Sequence, residues 1–168
     1  MDPERLVRLL SKFDVHNFPV RGQVSHILHN IYLSDIAFGQ DVKKIADQKF
    51  KMVINISEVP TPDYIANQMI ESGIEYSHFE VDTDDPNTVL TDAMRQSLIH
   101  FQAVGGKTLF HCSAGCSRSA AVVIYILCKY YGLSMESACD LIVKQRPCVS
   151  PMPNYLVQVH DLLAMERD

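Results

Sequence analysis

Short, nearly continuous apolar runs alternate along this chain with stretches whose apolar residues recur every three to four positions. The Met-Val-Ile-Asn-Ile run within Lys51–Ile56 has the pattern of a central strand covered on both faces. Val24–Leu33, Ile74–Val81 and Thr108–Phe110 read as further strands. Helical segments fall between and after them. Ser34 caps one that runs to Asp47, with Ile36, Ala37, Val42 and Ile45 inward, and another follows Pro62 to Ser72. Thr91 caps a helix to about Val104, which Gly105-Gly106 ends. The segment up to Tyr131 is so apolar that its helix must be buried, and Gly132 closes it. Ser134 caps the next helix, to Gln145, and Tyr155–Met165 is a last amphipathic one. Strands alternating with helices predict an α/β domain: a central, mostly parallel sheet of four to five strands, with helices on both faces.

The first residues stand apart. Asp2 as N-cap, Pro3 at the first helical position and Glu4 in the first turn predict a short helix. Leu6, Leu9, Leu10 and Phe13 fall on one of its faces. Asn17, Pro19, Arg21 and Gly22 then break regular structure, so residues 1–22 read as helix and linker and 23–168 as the domain proper. An apolar face on a tethered helix needs cover. Its own domain can supply that cover, or a second copy of the chain in a homodimer can.

The chain has 168 residues, 47% hydrophobic and 21% charged, enough for one domain with a real core. A net charge of −5 argues against a nucleic-acid partner bound by bulk electrostatics. The longest uncharged apolar run, Ala120–Cys128, falls well short of the roughly 20 residues that span a bilayer. The start, Met-Asp-Pro-Glu-Arg, lacks the basic and apolar regions of a secretory signal. The five cysteines (Cys112, Cys116, Cys128, Cys139 and Cys148) are odd in number and match no zinc spacing, and the histidines show no metal spacing. These features predict a soluble chain of a reducing compartment, cytoplasmic and also nuclear, without membrane, metal or cofactor.

The chemistry concentrates between Lys107 and Tyr131. A short strand leads into the tight loop His111–Arg118, and a buried helix follows. That arrangement turns backbone N–H groups toward an anion. Cys112 sits at the base of this loop, at a helix N-terminus and near Arg118, a setting that favours the thiolate, which is the nucleophile. Arg118 offers a planar fork for two phosphate oxygens, which lysine cannot match. Gly115 suits a loop in which a Cβ would crowd the anion. Cys116, inside the same loop, can either line it or form a reversible disulfide with Cys112.

The run His111-Cys112-Ser113-Ala114-Gly115-Cys116-Ser117-Arg118-Ser119 resembles the His-Cys-x-x-Gly-x-x-Arg-Ser signature of the cysteine-dependent protein tyrosine phosphatases. Its Ala-Gly-x-Ser-Arg-Ser-Ala form is similar to the dual-specificity branch. The resemblance spans about Val24 to Met165. Tyr32-Leu33-Ser34 resembles the family's Tyr-Leu-Gly segment, and Arg146-Pro147 through Gln158 resembles its tail, with Met152 where asparagine is usual. The length and the short first helix are also loosely similar to the poxviral dual-specificity phosphatases, which use that helix to dimerise.

The resemblance implies a protein tyrosine phosphatase-like fold, a catalytic domain over 23–168 and phosphorylated proteins as substrates. It implies Cys112 as nucleophile and Arg118 as phosphate clamp, with the loop from Ser113 through Ala114, Gly115, Cys116 and Ser117 binding the phosphate. Ser119 would hydrogen-bond the cysteine sulfur, and His111 would order the backbone without acting as a base. The proton donor would come from the acidic loop 82–87, where Asp84 fits the spacing to Leu90 and to Pro86, and Asp82 and Asp85 are the alternatives. Within the same superfamily, a phosphoinositide or an RNA 5′ end is a second substrate class. A phosphate-binding scaffold without turnover is a third reading.

Overall fold

The computed structural model describes residues 1–167. In chain order its elements are α1 (Pro3–Leu10), β1 (Val24–Leu28), β2 (Ile31–Ser34), α2 (Ile36–Gly39), α3 (Val42–Asp47), β3 (Met52–Ser57) and α4 (Asp63–Glu71). Then follow β4 (Glu75–Glu80), α5 (Thr91–Val104), β5 (Thr108–His111), α6 (Arg118–Lys129), α7 (Met135–Gln145) and α8 (Pro153–Met165). The five strands form one sheet in the order β1-β2-β5-β3-β4. All neighbours are parallel except β1 and β2, which pair as an antiparallel hairpin at the edge.

Alternation along the central strands divides the core in two. Met52, Ile54 and Ile56 of β3 and Phe110 of β5 face one layer, packed with α5, α6, α7 and α8. Val53 and Leu109 face the other, against Phe38, Ile45, Ile65 and Met69 of α2, α3 and α4. The expected two-faced α/β sheet is present. α6 is buried all round, with Ala120 through Leu127 almost wholly inaccessible. Each of its buried aliphatic side chains contributes roughly 1.5–3 kcal/mol, which fixes the helix and therefore the loop that enters it.

Two expectations are corrected. Val24–Leu33 is not one strand: Leu28 pairs with Ile31, and His29, at φ 47°, turns the chain with Asn30. The apolar pattern runs through the turn because both arms of the hairpin lie on the core. Nor does Ser34 cap a helix to Asp47. Ser34 is the last residue of β2, paired with His111, so Asp35 caps α2 by accepting from Phe38 N–H at 3.0 Å. Asp41 then starts α3 separately. Smaller shifts are that Leu90 occupies the cap position ahead of Thr91, and that α8 begins at Pro153.

Helix α1 packs on α7 and α8 of its own chain. Leu9 is fully buried there, Arg5 makes a two-pronged pair with Glu136 at 2.7 and 3.1 Å, and Lys12 meets Asp140 at 2.7 Å. Its apolar face is therefore covered within the chain, while Val7 on the far side is 66% exposed. Among the described residues no helix is long and apolar enough to cross a membrane.

Candidate active site

The loop between β5 and α6 leaves the C-terminal end of the parallel strands, where ligand sites of such sheets lie. Its carbonyls are drawn away from its centre. Ser113 O accepts from Ile36 N–H at 3.0 Å, and Ala114 O and Gly115 O accept from Arg146 at 3.1 and 2.9 Å. Cys116 O accepts from Ser150 N–H at 2.8 Å, and Cys112 O accepts from His111 Nδ1 at 3.1 Å. With five consecutive carbonyls held on the outside, the amide N–H groups face the interior, and the N-terminus of α6 adds its partial positive charge.

Cys112 is buried at the base of this ring, and Ser119 Oγ donates to its Sγ at 3.1 Å. Arg118, the first residue of α6, is buried too and bridges three segments. Its Nη2 donates to Ser113 Oγ at 3.2 Å, its Nη1 pairs with Glu58, and its Nε lies 3.7 Å from Asp84 Oδ1 with no hydrogen-bond partner among the described residues. Burial alone would lower its guanidinium, but the carboxylate of Glu58 and the nearby Cys112 and Asp84 raise it, so it stays charged. Burial likewise works to raise Glu58, and the Arg118 hydrogen bond overrides it to a net lowering.

Of the three candidate acids, Asp84 is the one beside Arg118. Its Oδ1 accepts the Tyr155 hydroxyl at 2.8 Å. Asp85 instead turns its carboxylate to Asn87 N–H at 2.7 Å, and Asp82 contributes its backbone carbonyl to Arg118 at 3.3 Å. The loop carrying them is tied to α8: Asn154 Nδ2 donates to Asp85 O and Thr88 O, and Gln158 reaches both Leu90 N–H and Thr88 O. Met152, in the place of a usual asparagine, contributes through its backbone, donating N–H to Ser117 Oγ at 3.2 Å.

His111 is fully buried, and because its Nδ1 faces a carbonyl, that nitrogen must carry the proton. Burial lowers its pKa to about 4, so the ring is neutral at physiological pH. Gly39 lies flat against it, where a Cβ would come within 2.4 Å of the imidazole. Gly115 is required for a reason other than crowding of the anion. A Cβ there would strike the backbone oxygen of Ser34 at 2.3 Å, and its φ of 71° is left-handed. The crowding comes from the protein wall and β2, which is also where Ser34 replaces glycine.

Four positioning residues escaped the sequence reading. Arg146 is 1% exposed and also donates to Gln23 O and Ser25 Oγ, both at 3.1 Å. Its only signal was the Arg-Pro pair that opens the tail. Glu58 rides on a turn built by Asn55, Ser57 and Val59, in which Ser57 Oγ donates to Asn55 Oδ1 at 2.7 Å. Tyr155 was visible only as part of that same tail, with no role attached to it, and Asp35 had no signal of its own.

The dual specificity phosphatase catalytic-domain profile matches residues 31–165. The chain belongs to that family. By family it is a dual-specificity protein phosphatase of the cysteine-dependent protein tyrosine phosphatase superfamily. Human dual specificity protein phosphatase 18 is 30% identical over 139 residues, 81% of this chain and 70% of that protein. Mouse dual specificity protein phosphatase 15 is 26% identical over 142 residues, 82% of this chain and 57% of that one. The crystal structure of human DUSP28 superposes with a TM-score of 0.77 at 22% identity, over 90% of this phosphatase and all of that chain, a likeness of fold.

Proposed function

We propose that this phosphatase hydrolyses phosphotyrosine and phosphoserine or phosphothreonine in proteins through a phosphocysteine intermediate. In the first step Cys112 Sγ forms a bond to phosphorus as the ester P–O bond breaks, and protonated Asp84 gives its proton to the departing oxygen. Arg118 and the inward N–H groups of Ser113 through Ser117 hold the three equatorial oxygens, whose charge rises in the transition state. In the second step Asp84, now a carboxylate, takes a proton from the water that attacks phosphorus. Cys112 then leaves as thiolate, eased by the Ser119 hydroxyl.

The observation that carries this reading is the approach of Asp84 Oδ1 to Arg118 Nε at 3.7 Å. It supports a proton donor on one loop acting beside a phosphate clamp on another. An open cleft of about 450 Å³ beside Arg118 is lined by Glu58, Asp82, Thr83, Asp85, Asn87 and Thr88. With no lysine or arginine among those residues, it suits a protein chain better than a polyanionic headgroup. The five free thiols support a cytoplasmic or nuclear setting.

Hydrolysis of p-nitrophenyl phosphate, abolished in Cys112→Ser, separates an enzyme from a scaffold. A panel of phosphopeptides captured on the Cys112→Ser chain then reads residue preference. Turnover no higher than that of the variant overturns the proposal. The homodimer through α1 belongs to the same proposal, and light-scattering mass of the chain with and without residues 1–20 decides it.

A further inference from the structure

Cys116 and Cys148 approach each other from segments 32 residues apart, with their sulfurs 3.2 Å from one another. We propose that they form a dithiol site which peroxide oxidises to a reversible disulfide, stapling the loop of Cys112 to the segment between α7 and α8. The proposal stands on this geometry alone and does not depend on the reaction assigned to Cys112.

The two segments are already fastened around the pair. Ser150 N–H donates to Cys116 O at 2.8 Å, Arg146 holds Gly115 O and Ala114 O, and Met152 N–H donates to Ser117 Oγ. The ordering that a cross-link ordinarily requires is thus done by the fold. Closing to the S–S bond length of roughly 2.05 Å moves the sulfurs by about an ångström, within the reach of small side-chain rotations. Cys112 is differently engaged, since its sulfur accepts from Ser119.

One proton serves both sulfurs. Cys116 keeps it and donates it to Cys148, which this bond and the Arg146 guanidinium lower to about 7 against its burial. Cys128 and Cys139, by contrast, are pushed up to about 12, chiefly by burial. Cys116 gives the pair its solvent-facing side. The Cys148 thiolate attacks one oxygen of hydrogen peroxide, the O–O bond breaks, and a sulfenic acid and hydroxide result, the hydroxide taking a proton from solvent to become water. The Cys116 sulfur then attacks that sulfenic sulfur, the S–O bond breaks, and a second water leaves. One thiolate and one thiol give up two electrons to become the disulfide, and one peroxide, with the Cys116 proton and one proton from solvent, becomes two waters.

The test treats the full reduced chain with equimolar hydrogen peroxide, blocks remaining thiols with iodoacetamide and maps peptides without reduction. Fragmentation between Cys112 and Cys116 assigns the linkage, and the same map on Cys112→Ser removes any ambiguity. A Cys116–Cys148 peptide that vanishes on adding dithiothreitol, and is missing in Cys148→Ser, is expected. The wild-type map suffices on its own should that variant not fold. A disulfide that includes Cys112, or oxidised Cys112 with Cys116 and Cys148 both alkylated, overturns the proposal.

Discussion

The Tyr155 hydroxyl donates to Asp84 Oδ1 at 2.8 Å, joining helix α8 to the acidic loop across 71 residues of chain. Asp84 is 40% exposed at the side chain, so without this bond its carboxyl group would sample several rotamers. Burial and the bond to Asp84 both raise the Tyr155 phenol, which keeps it a donor throughout the working pH range.

Tyr155→Phe is therefore expected to lower kcat about tenfold with KM little changed, since about 1.4 kcal/mol of positioning is lost only when the proton moves. Asp84→Asn is expected to cost 10²–10⁴-fold on phosphopeptides and far less on p-nitrophenyl phosphate, whose leaving group needs little protonation. Steady-state kinetics on both substrates check this. Equal losses on the two substrates would move the acid to Asp82 or Asp85.

Glu58 occupies part of the Arg118 fork and sets a negative charge beside the anion site. Glu58→Gln is expected to tighten inhibition by inorganic phosphate about fivefold, close to 1 kcal/mol. Weaker phosphate binding in this variant would mean that Glu58 chiefly orients the guanidinium.

Arg146 satisfies four acceptors from a fully enclosed position, two of them carbonyls of the loop between β5 and α6. Arg146→Lys cannot span them all, and leaving buried acceptors unpaired is expected to cost about 3 kcal/mol of stability. Urea unfolding measures that loss. A parallel fall in kcat/KM, with the Cys112 thiol still present by titration, would show the loop losing its shape.

His111 brings a pH dependence whose sign follows from its burial. Its pKa is about 4 in the folded chain against 6.5 unfolded, so the unfolded state binds the proton first as pH falls. Stability is complete above about pH 6.5 and declines toward pH 4, by roughly 2 kcal/mol at pH 5 and roughly 3 in full. Urea midpoints should fall more steeply between pH 7 and pH 5 in the wild type than in His111→Gln. Equal slopes would refute the assignment.

The sequence by itself determined the fold class and the local shape of the loop between β5 and α6. Cys112, Arg118 and Ser119 lie within seven residues of each other. A strand, a tight loop and a buried helix leave those residues a single mutual arrangement, so spacing was enough. Asp84 was legible as one of three aspartates, because counting along a loop narrows a position without orienting a side chain. Only the tertiary structure decided the rest. Arg146, Glu58 and Tyr155 reach the site from 31, 60 and 71 residues away. No periodicity links positions so far apart, and side-chain packing alone brings them together. The same holds for Asp35, which became the cap once strand pairing had claimed Ser34, and for Cys116, whose sulfur meets Cys148. Local backbone geometry wrote the arrangement of Cys112, Arg118 and Ser119 into the chain, while the supports that hold it in shape exist only once distant segments pack.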